Sequence, residues 1–422
     1  MKTYARYKDS GISWIGEIPE HWDVNYLFQK VGSHYISNKD IHHQNLLSLS
    51  YGRIIQKDIN KTEGLLPTSF DTYQVVENGN IVLRLTDLQN DHKSLRVGFV
   101  TQEGIVTSAY ECLCVINDAT FPKYLYYQLH SFDIKKMFYG MGGGLRQNLS
   151  YGELKKIRIA APPISEQKAI VDFLDEKTAK INELVAAKQK QIELLKEYKQ
   201  SFIANAVTKG VNPKVKMKDS GINWIGQIPE HWELSRIRHY FAESDEKTFD
   251  ESATLLSLSQ YTGISLKSES PKVGMSEAET TEGYKVVHKG QFVMNIMLAW
   301  NGSYAVSDLD GVISPAYCVF DFVKDCDKWY FHYLLRIKAY SGAFKTLSKG
   351  IIDSRLRLYP NKFYTFPLIV PPIDEQKQIV ALINERVASI DSQISSIEKQ
   401  IENLNEYKQS LISDVVTGKV KV

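Results

Sequence analysis

One specific phrase occurs twice in the sequence, and this repeat decides the fold. Residues 8–22 read KDSGISWIGEIPEHW, and residues 218–232 read KDSGINWIGQIPEHW. The second copy begins 210 residues after the first in a chain of 422 residues, so the period is half of the chain. Self-similarity at a fixed period indicates a duplicated architecture. The sequence therefore predicts two related halves.

Two further phrases continue the repeat. Residues 161–174 read APPISEQKAIVDFL and correspond to VPPIDEQKQIVALI at 370–383. Residues 195–208 read LKEYKQSFIANAVT and correspond to LNEYKQSLISDVVT at 404–417. Between these phrases the two halves differ. The order along the chain is thus variable block, helix, variable block, helix.

The later phrases lie in two long predicted helices. Ser165 and Asp374 are suitable N-cap residues, and Gly210 and Gly418 stand where the helices should stop. Proline blocks helix formation upstream of each start. These prolines are Pro162, Pro163, Pro371 and Pro372.

An apolar stripe with alternating spacing of four and three residues follows each helix, which is typical of a heptad seam. At 1.5 Å per residue, a helix of about 40 residues is about 60 Å long, so two such helices can pack along each other as a spacer. The seam positions are Ile181, Val185, Ile192, Leu195 and Phe202 in the first helix and Ile390, Ile394, Ile397, Ile401, Leu404 and Leu411 in the second.

The variable blocks are predicted to be β-rich α+β domains. Short strand-like runs at 80–85, 111–116 and 290–296 are bounded by turn residues, and helical patches follow at 124–137 and 328–340. The predicted boundaries are 1–161 and 212–370 for the two domains. The long helices are assigned to 162–211 and 371–422.

Composition excludes several classes of protein. Lys and Arg number 51 against 49 Asp and Glu, so the net charge of +2 provides no global basic field, and any nucleic-acid surface must be local. No signal peptide or membrane span is expected, which indicates a soluble cytoplasmic protein. The four cysteines form neither a disulfide framework nor a paired metal motif, so reduced thiols are expected.

Catalytic motifs are missing from the sequence. The only Gly-Lys, at 418–419, is followed by Val, so there is no phosphate-binding loop, and both Pro-Pro pairs are followed by Ile, unlike the Asn/Asp-Pro-Pro-Tyr/Phe motif of amino-methyltransferases. His42 and His43 have no metal-ligand partner at a suitable spacing. We therefore expect no catalytic residue, metal or cofactor on this chain.

The G-x-IPEHW phrase, the PP-I-x-EQ helix start and the duplicated order resemble the DNA-specificity subunit of type I restriction-modification enzymes. The resemblance covers nearly the whole chain, and Gly140–Ser150 is similar to the family's glycine-rich segment, while residues 348–355 are a looser version. It implies a non-catalytic subunit with two target-recognition domains that read a bipartite DNA sequence. An antiparallel coiled coil would set the gap between the half-sites.

The same resemblance implies the partners. Two adenine-methyltransferase subunits would bring S-adenosylmethionine, and a nuclease and translocase subunit would use ATP and Mg for defence against foreign DNA. Two identical partners need the same surface twice, so the repeated residues are candidates for docking. Alternatively, they close small cores as scaffold, as large aromatics mostly do. These residues are Trp14, Trp22, Trp224 and Trp232, with the four helix-start prolines.

Candidate DNA-binding residues come from local charge and from aligned strands. Arg84 and Asn295 fall at equivalent positions and suit guanine and adenine respectively by bidentate contacts; alternatively, they hold the sheet or touch phosphate. Basic clusters precede both long helices, where they either neutralise phosphate or form a solvated face. The cluster residues, with the neighbouring glutamine, are Arg146, Gln147, Lys155, Lys156 and Arg158 in the first half and Lys345, Lys349, Arg355 and Arg357 in the second.

Two rival classes of function remain open from the sequence. A coiled-coil adaptor would bind protein only and would show no salt-sensitive DNA binding. An autonomous nuclease would turn over substrate as a purified single chain with a metal. The DNA target, the gap length and the presence of a nuclease subunit are not encoded in any motif.

Overall fold

The computed structural model describes residues 2–60, 69–88, 91, 94–141, 148–269, 280–348 and 356–422. These residues form an α+β fold, as predicted. The chain divides into two compact units, here called the first unit (Met1–Gln189 with Glu398–Val422) and the second unit (Lys190–Ile397). Each unit contains one variable block and half of each long helix, so the division crosses the helices that the sequence assigned to separate segments.

The strands of the two variable blocks are short. Those of the first unit are β1 (Tyr7–Asp9), β2 (Glu17–Pro19), β3 (Asp23–Tyr26), β4 (Val31–Ser33), β5 (Leu47–Ser50), β6 (Arg53–Gln56), β7 (Gln74–Val76), β8 (Ile81–Leu83), β9 (Val97–Phe99), β10 (Gly104–Val106), β11 (Glu111–Val115) and β12 (Arg158–Ala161). Those of the second unit are β13 (Met217–Asp219), β14 (Gln227–Pro229), β15 (Glu233–Arg236), β16 (Phe241–Ser244), β17 (Leu256–Ser259), β18 (Gly263–Leu266), β19 (Lys285–Val287), β20 (Phe292–Asn295), β21 (Tyr304–Val306), β22 (Gly311–Ile313), β23 (Tyr317–Phe322) and β24 (Pro367–Val370).

Seven α-helices are found among the described residues. They are α1 (Pro122–Ile134), α2 (Tyr151–Leu154), α3 (Ile164–Lys209), α4 (Lys328–Arg336), α5 (Lys338–Leu347), α6 (Pro360–Phe363) and α7 (Ile373–Val416). The patch predicted as one helix over 328–340 is divided between α4 and α5. Ile337 causes the break because its backbone is extended, with φ −68° and ψ 151°.

Both units are organised around a four-stranded antiparallel sheet of the same topology. The strand order is β4-β11-β8-β9 in the first unit and β16-β23-β20-β21 in the second. The central register also matches, since Ile81 pairs with Phe99 and Phe292 pairs with Val306. The duplication seen in the sequence is therefore a duplication of backbone structure.

The cores under these sheets differ in composition. In the first unit the buried side chains include Leu83, Leu113 and Leu129, which join the sheet to α1. In the second unit aromatic rings dominate, and Phe292 stacks on Phe363 with 5.7 Å between ring centroids. Because packing depends on volume and shape rather than on particular side chains, one topology accommodates both cores.

The long helices begin one residue earlier than the predicted N-caps. α3 begins at Ile164, and the carbonyl of Pro163 already accepts a bond from the Gln167 amide at 3.0 Å. α7 likewise begins at Ile373, so Ser165 and Asp374 lie in the first turns. At the other end both helices stop before a glycine of positive φ, Gly210 and Gly418, as predicted.

The two long helices contact each other within each unit. In the first unit Nζ of Lys408 donates to Oδ1 of Asn182 at 3.0 Å, and Lys188 donates to Gln400, so these segments run antiparallel. In the second unit the ammonium of Lys199 pairs with Asp391 at 2.7 Å. The buried seam residues are Ile181, Ile192, Ile390, Ile394, Ile397 and Leu411, and the half-buried ones are Val185, Leu195, Phe202, Ile401 and Leu404.

Candidate nucleic-acid interface

A loop leaves the same end of the four-stranded sheet in both units. The first loop, Arg84–Arg96, joins β8 to β9, and the second loop, Asn295–Ser303, joins the end of β20 to β21. The amide of Arg84 donates to the Arg96 carbonyl and that of Asn295 to the Ser303 carbonyl, both at 2.9 Å. Arg84 and Asn295 thus occupy equivalent backbone positions, while the loops that they open differ in length and in side chains.

Arg84 carries a partly exposed guanidinium in the first loop. Its side chain is 37% exposed, and Nη1 lies 3.7 Å from Oδ2 of Asp91 in the same loop. Oδ1 of Asp91 accepts a bond from the Ser94 amide at 2.9 Å, which fixes the carboxylate. A base or phosphate that bound Arg84 would therefore compete with Asp91 for the guanidinium.

Asn295 does not reach the surface of the second unit. It is 4% exposed, and its side-chain oxygen accepts a bond from the Met297 amide at 3.0 Å. The side chain shapes the turn that follows β20, as Asn often does by bonding to the backbone two residues on. Asn295, which the sequence predicted to contact a base, is instead buried at this turn.

The second loop is apolar where the first is charged. Met297 and Leu298 are exposed, and the Trp300 indole donates to the Met297 carbonyl at 3.0 Å. The ammonium of Lys345 lies 5.2 Å from the centroid of the Trp300 ring. One predicted cation, Lys345, is thus brought to this loop. Two equivalent positions of one scaffold consequently present different chemistry.

The chain that follows each glycine-rich segment runs beside the loop. The amide of Leu149 donates to the Leu85 carbonyl at 2.9 Å, and that of Leu358 donates to the Ile296 carbonyl at 3.0 Å. Arg357, which is half-buried, precedes Leu358 and so flanks the second loop. Four of the predicted DNA-binding residues fall outside the described residues, namely Arg146, Gln147, Lys349 and Arg355.

The remaining basic residues of the first cluster lie around α2 and β12. Lys156 is exposed, while Nζ of Lys155 lies 5.9 Å from the centroid of the Tyr151 ring. The guanidinium of Arg158 donates to the carbonyl of Gly11, inside the repeated phrase. Both Lys156 and Arg158 are exposed, but the guanidinium of Arg158 is engaged with the scaffold.

The repeated phrase and the start of each long helix bind each other. Trp22 and Trp232 are fully buried, and each indole N–H donates at 3.0 Å to the helix-start glutamate of its own unit, Glu166 or Glu375. The adjacent imidazole of His21 lies 2.6 Å from Glu166. We call this arrangement the helix-start clamp. It shows why two distant phrases recur together.

Among the described residues, the first clamp has one more donor than the second. The hydroxyl of Tyr4 donates to Oε2 of Glu166 at 3.0 Å. Burial raises the pKa of Glu166, but the bonds from His21, Trp22 and Tyr4 outweigh it, and the net pKa lies below its ordinary value. Burial, with the nearby charge of Glu166, raises the pKa of the Tyr4 phenol. The carboxylate is thus the stable form at neutral pH.

The glutamine that follows each clamp glutamate fastens the helix to its block. Oε1 of Gln167 accepts from the Phe121 amide at 2.8 Å, and Nε2 donates to the Pro162 carbonyl at 2.8 Å. Gln376 binds the Asp327 amide and the Pro371 carbonyl in the same way, both at 2.9 Å. These contacts give the repeated prolines a scaffold role. Of the four, Pro162 and Pro371 are buried, and Pro163 and Pro372 are exposed.

The other two repeated tryptophans also pack internally. Trp14 meets Phe132 edge to face with 5.3 Å between centroids, and Trp224 meets Tyr340 at 4.6 Å. Both tryptophans are half-buried. Packing therefore accounts for most of their surface, in agreement with the scaffold alternative.

No sequence pattern indicated a role for Arg96, a fully buried residue that ends the first loop immediately before β9. Arginine is rarely buried completely, so a pattern search assigns it to the surface.

Within the described residues there is no group of three or more His, Cys, Asp or Glu side chains that could hold a metal ion. No helix in the described part of the chain is long and apolar enough to cross a membrane.

Comparison with known proteins identifies related sequences. Residues 96–194 match the family model described as "Type I restriction modification DNA specificity domain". The "Type I restriction enzyme MjaVIII specificity subunit" of Methanocaldococcus jannaschii is 26% identical over 368 residues, 83% of this chain and 81% of the relative. The "Putative type I restriction enzyme MjaX specificity subunit" of the same organism is 34% identical over 118 residues, 28% of this chain and 26% of the relative.

A solved structure shares the fold. A chain from the structure described as "Structural basis underlying complex assembly and conformational transition of the type I R-M system" has a TM-score of 0.67 at 12% identity, covering 96% of this chain and 99% of that chain. The HsdS subunit from Thermoanaerobacter tengcongensis has a TM-score of 0.49 at 13% identity. The family model and the curated relatives confirm the resemblance to type I specificity subunits.

Proposed function

We propose that this relative of the type I specificity subunits is the DNA-recognition subunit of a type I restriction-modification complex. The first and second units each read one half of a bipartite sequence. The chain itself is non-catalytic and binds no cofactor. It positions two methyltransferase subunits, which carry S-adenosylmethionine, and a nuclease and translocase subunit, which uses ATP and Mg.

The observation that carries this proposal is the contrast between the scaffold and the loops. The two units share a sheet topology and a helix-start clamp, yet the first loop offers Arg84 while the second offers Met297, Leu298 and Trp300. A guanidinium suits guanine, and apolar side chains suit the methyl group of thymine. Reading two different half-sites on one framework requires this pattern.

The long helices are proposed to form an antiparallel coiled coil that spaces the two half-sites. The seam residues and the paired contacts of Lys408 with Asn182 and of Lys199 with Asp391 support this role. α3 has 46 residues and α7 has 44, so each is about 65–70 Å long. We infer that this length sets the number of unread base pairs.

Partner docking is proposed for surfaces that both units share. The buried tryptophans of the clamp support such surfaces from within, and the exposed Pro163 and Pro372 lie beside them. The four cysteines are free thiols, which suits a reducing compartment, and we infer a cytoplasmic location. The charge of this chain is balanced, so the DNA affinity of the complex is proposed to come from local cations and from its partners.

Selection of bound DNA from a random pool tests the proposal. The full chain, co-purified with the methyltransferase subunit of its host, should select two short defined blocks separated by a fixed gap. The double variant Met297→Ser with Leu298→Ser should alter one block only. Val323→Ser is the matched control, because Val323 is also exposed but follows β23, at the opposite end of the same sheet.

The outcomes separate the rival functions. A protein-only adaptor would select no sequence at any salt concentration. An autonomous nuclease would degrade the pool when Mg is added to the chain alone. Either result would refute the proposal, as would a single continuous block without a gap.

A further inference from the structure

A fully buried arginine lies beneath the first loop. Arg96 immediately precedes β9 and is among the largest side chains with no solvent exposure. A guanidinium stays charged in proteins, so its burial is tolerated only when its donors are satisfied. The partners of Arg96 therefore indicate what its burial serves.

Each of the five N–H donors of Arg96 has an acceptor. Nε donates to the Tyr139 hydroxyl at 3.1 Å. Nη1 donates to the carbonyls of Arg84 at 3.3 Å and Thr86 at 2.8 Å. Nη2 donates to the carbonyls of Asp87 at 3.1 Å and Asp91 at 2.7 Å. Four of the five acceptors are backbone oxygens of the first loop.

The bonds to these four carbonyls fix the backbone of the loop at Arg84, Thr86, Asp87 and Asp91. The four include the carbonyls of Arg84 and Asp91, the two residues whose side chains form the partly exposed ion pair. Asp87, between them, has φ +57°, a left-handed conformation that non-glycine residues adopt only when their surroundings impose it. The Tyr139 hydroxyl also donates to the Asp91 carbonyl at 2.8 Å, which closes the network.

We propose that Arg96 is the positioning residue for sequence reading by the first unit. It does not touch DNA. It holds the backbone at Arg84 and Asp91 so that the Arg84 guanidinium keeps one position from which to contact a base. This inference rests on the proposed function and names the residue that determines how finely the first half-site is read.

Within the described residues of the second unit, no buried arginine bonds to the backbone of the second loop. Ser303 occupies the position of Arg96, as the matching bonds to Arg84 and Asn295 show. The shorter second loop closes on itself, because the Ser303 amide donates to the Leu298 carbonyl at 3.2 Å and Asn295 caps Met297. Perturbing Arg96 should consequently change the first half-site and leave the second unchanged.

Two substitutions weaken the network in different degrees. Arg96→Lys keeps the charge, but an ammonium has three donors, so at least two of the five acceptors lose their partner. Tyr139→Phe removes one hydroxyl and leaves the arginine and its four carbonyl bonds in place. Ser303→Ala is the control at the equivalent position of the second unit. Thermal unfolding of each purified complex establishes that the variants are folded.

The test is the adenine-methylation profile of a strain that lacks the gene and expresses each variant of the full chain. We expect discrimination at one or two positions of the first half-site to fall about five- to 150-fold in Arg96→Lys, which corresponds to the loss of one base contact. Tyr139→Phe should relax the same positions less. Ser303→Ala should reproduce the wild-type motif.

The results separate this inference from the function on which it rests. A wild-type profile without a bipartite motif would overturn both. A bipartite wild-type motif whose first half stays equally sharp in Arg96→Lys and Tyr139→Phe would overturn the inference alone. Equal loss of methylation at all sites, with both half-sites still sharp, would also overturn it, because Arg96 would then only stabilise the fold.

Discussion

The helix-start clamp makes a quantitative prediction about stability. Glu166→Ala and Glu375→Ala each leave a fully buried indole N–H without its acceptor, which costs about 1–3 kcal/mol. Glu166 also accepts from Tyr4, for which the described residues offer Glu375 no counterpart, and a typical hydrogen bond adds about 1 kcal/mol. We therefore expect losses of about 2–4 kcal/mol for Glu166→Ala and about 1–3 kcal/mol for Glu375→Ala.

Urea unfolding of the full chain, followed by tryptophan fluorescence, measures both losses under one set of conditions. Glu166→Gln and Glu375→Gln are the controls, because the amide oxygen keeps an acceptor for the indole, while the charge and one acceptor oxygen are lost. They should cost less than the alanine variants. The clamp would be refuted if Glu166→Ala cost less than about 0.5 kcal/mol, as an ordinary surface change does, or if Glu375→Ala cost more than Glu166→Ala.

Four further predictions concern readout, spacing, assembly and pH. Arg84→Ala should relax one position of the first half-site in a methylation profile, whereas Ile116→Ser, an exposed control at the opposite end of the sheet, should change nothing. One heptad inserted after Lys188 and one after Ile397 should lengthen the gap by about three base pairs, since seven residues add about 10.5 Å; a fixed gap would rule out the spacer. Native mass spectrometry should find two methyltransferase copies per chain, and a single copy that persists on concentration would contradict the repeated surface. Burial raises the pKa of Asp133 from 3.8 to about 6, so the folded state holds an extra proton on this group between pH 4 and 6 and its contribution to the free energy of unfolding should fall across that window; in urea titrations Asp133→Asn should therefore gain stability relative to the wild type as pH rises from 4 to 6.

The elements that the sequence predicts well are those with a local signal. The prolines before Ile164 and the glycine at 210 define α3 because each acts on its own turn of backbone. The alignment of Arg84 with Asn295 also holds, because Arg84 follows β8 and Asn295 ends β20, matching strands whose register the apolar pattern fixes.

Side-chain exposure and distant pairing have no such local signal. Asn295 is buried because the Met297 amide, in the short turn after it, donates to its side-chain oxygen. That contact depends on the loop and not on the strand. The Trp22 indole meets Glu166 across 144 residues, a contact that only the folded chain brings about. Arg96 escapes a pattern search because charged residues are ordinarily exposed, and only its five bonds distinguish it.

Single-molecule methylation sequencing of the host with and without this gene tests the proposed recognition of a bipartite target most directly. We predict that one motif, two short blocks with a fixed gap and a methylated adenine in each, is present with the gene and lost without it. Complementation with Arg84→Ala should restore the motif with a relaxed first block. An identical methylation profile with and without the gene would contradict the proposed function.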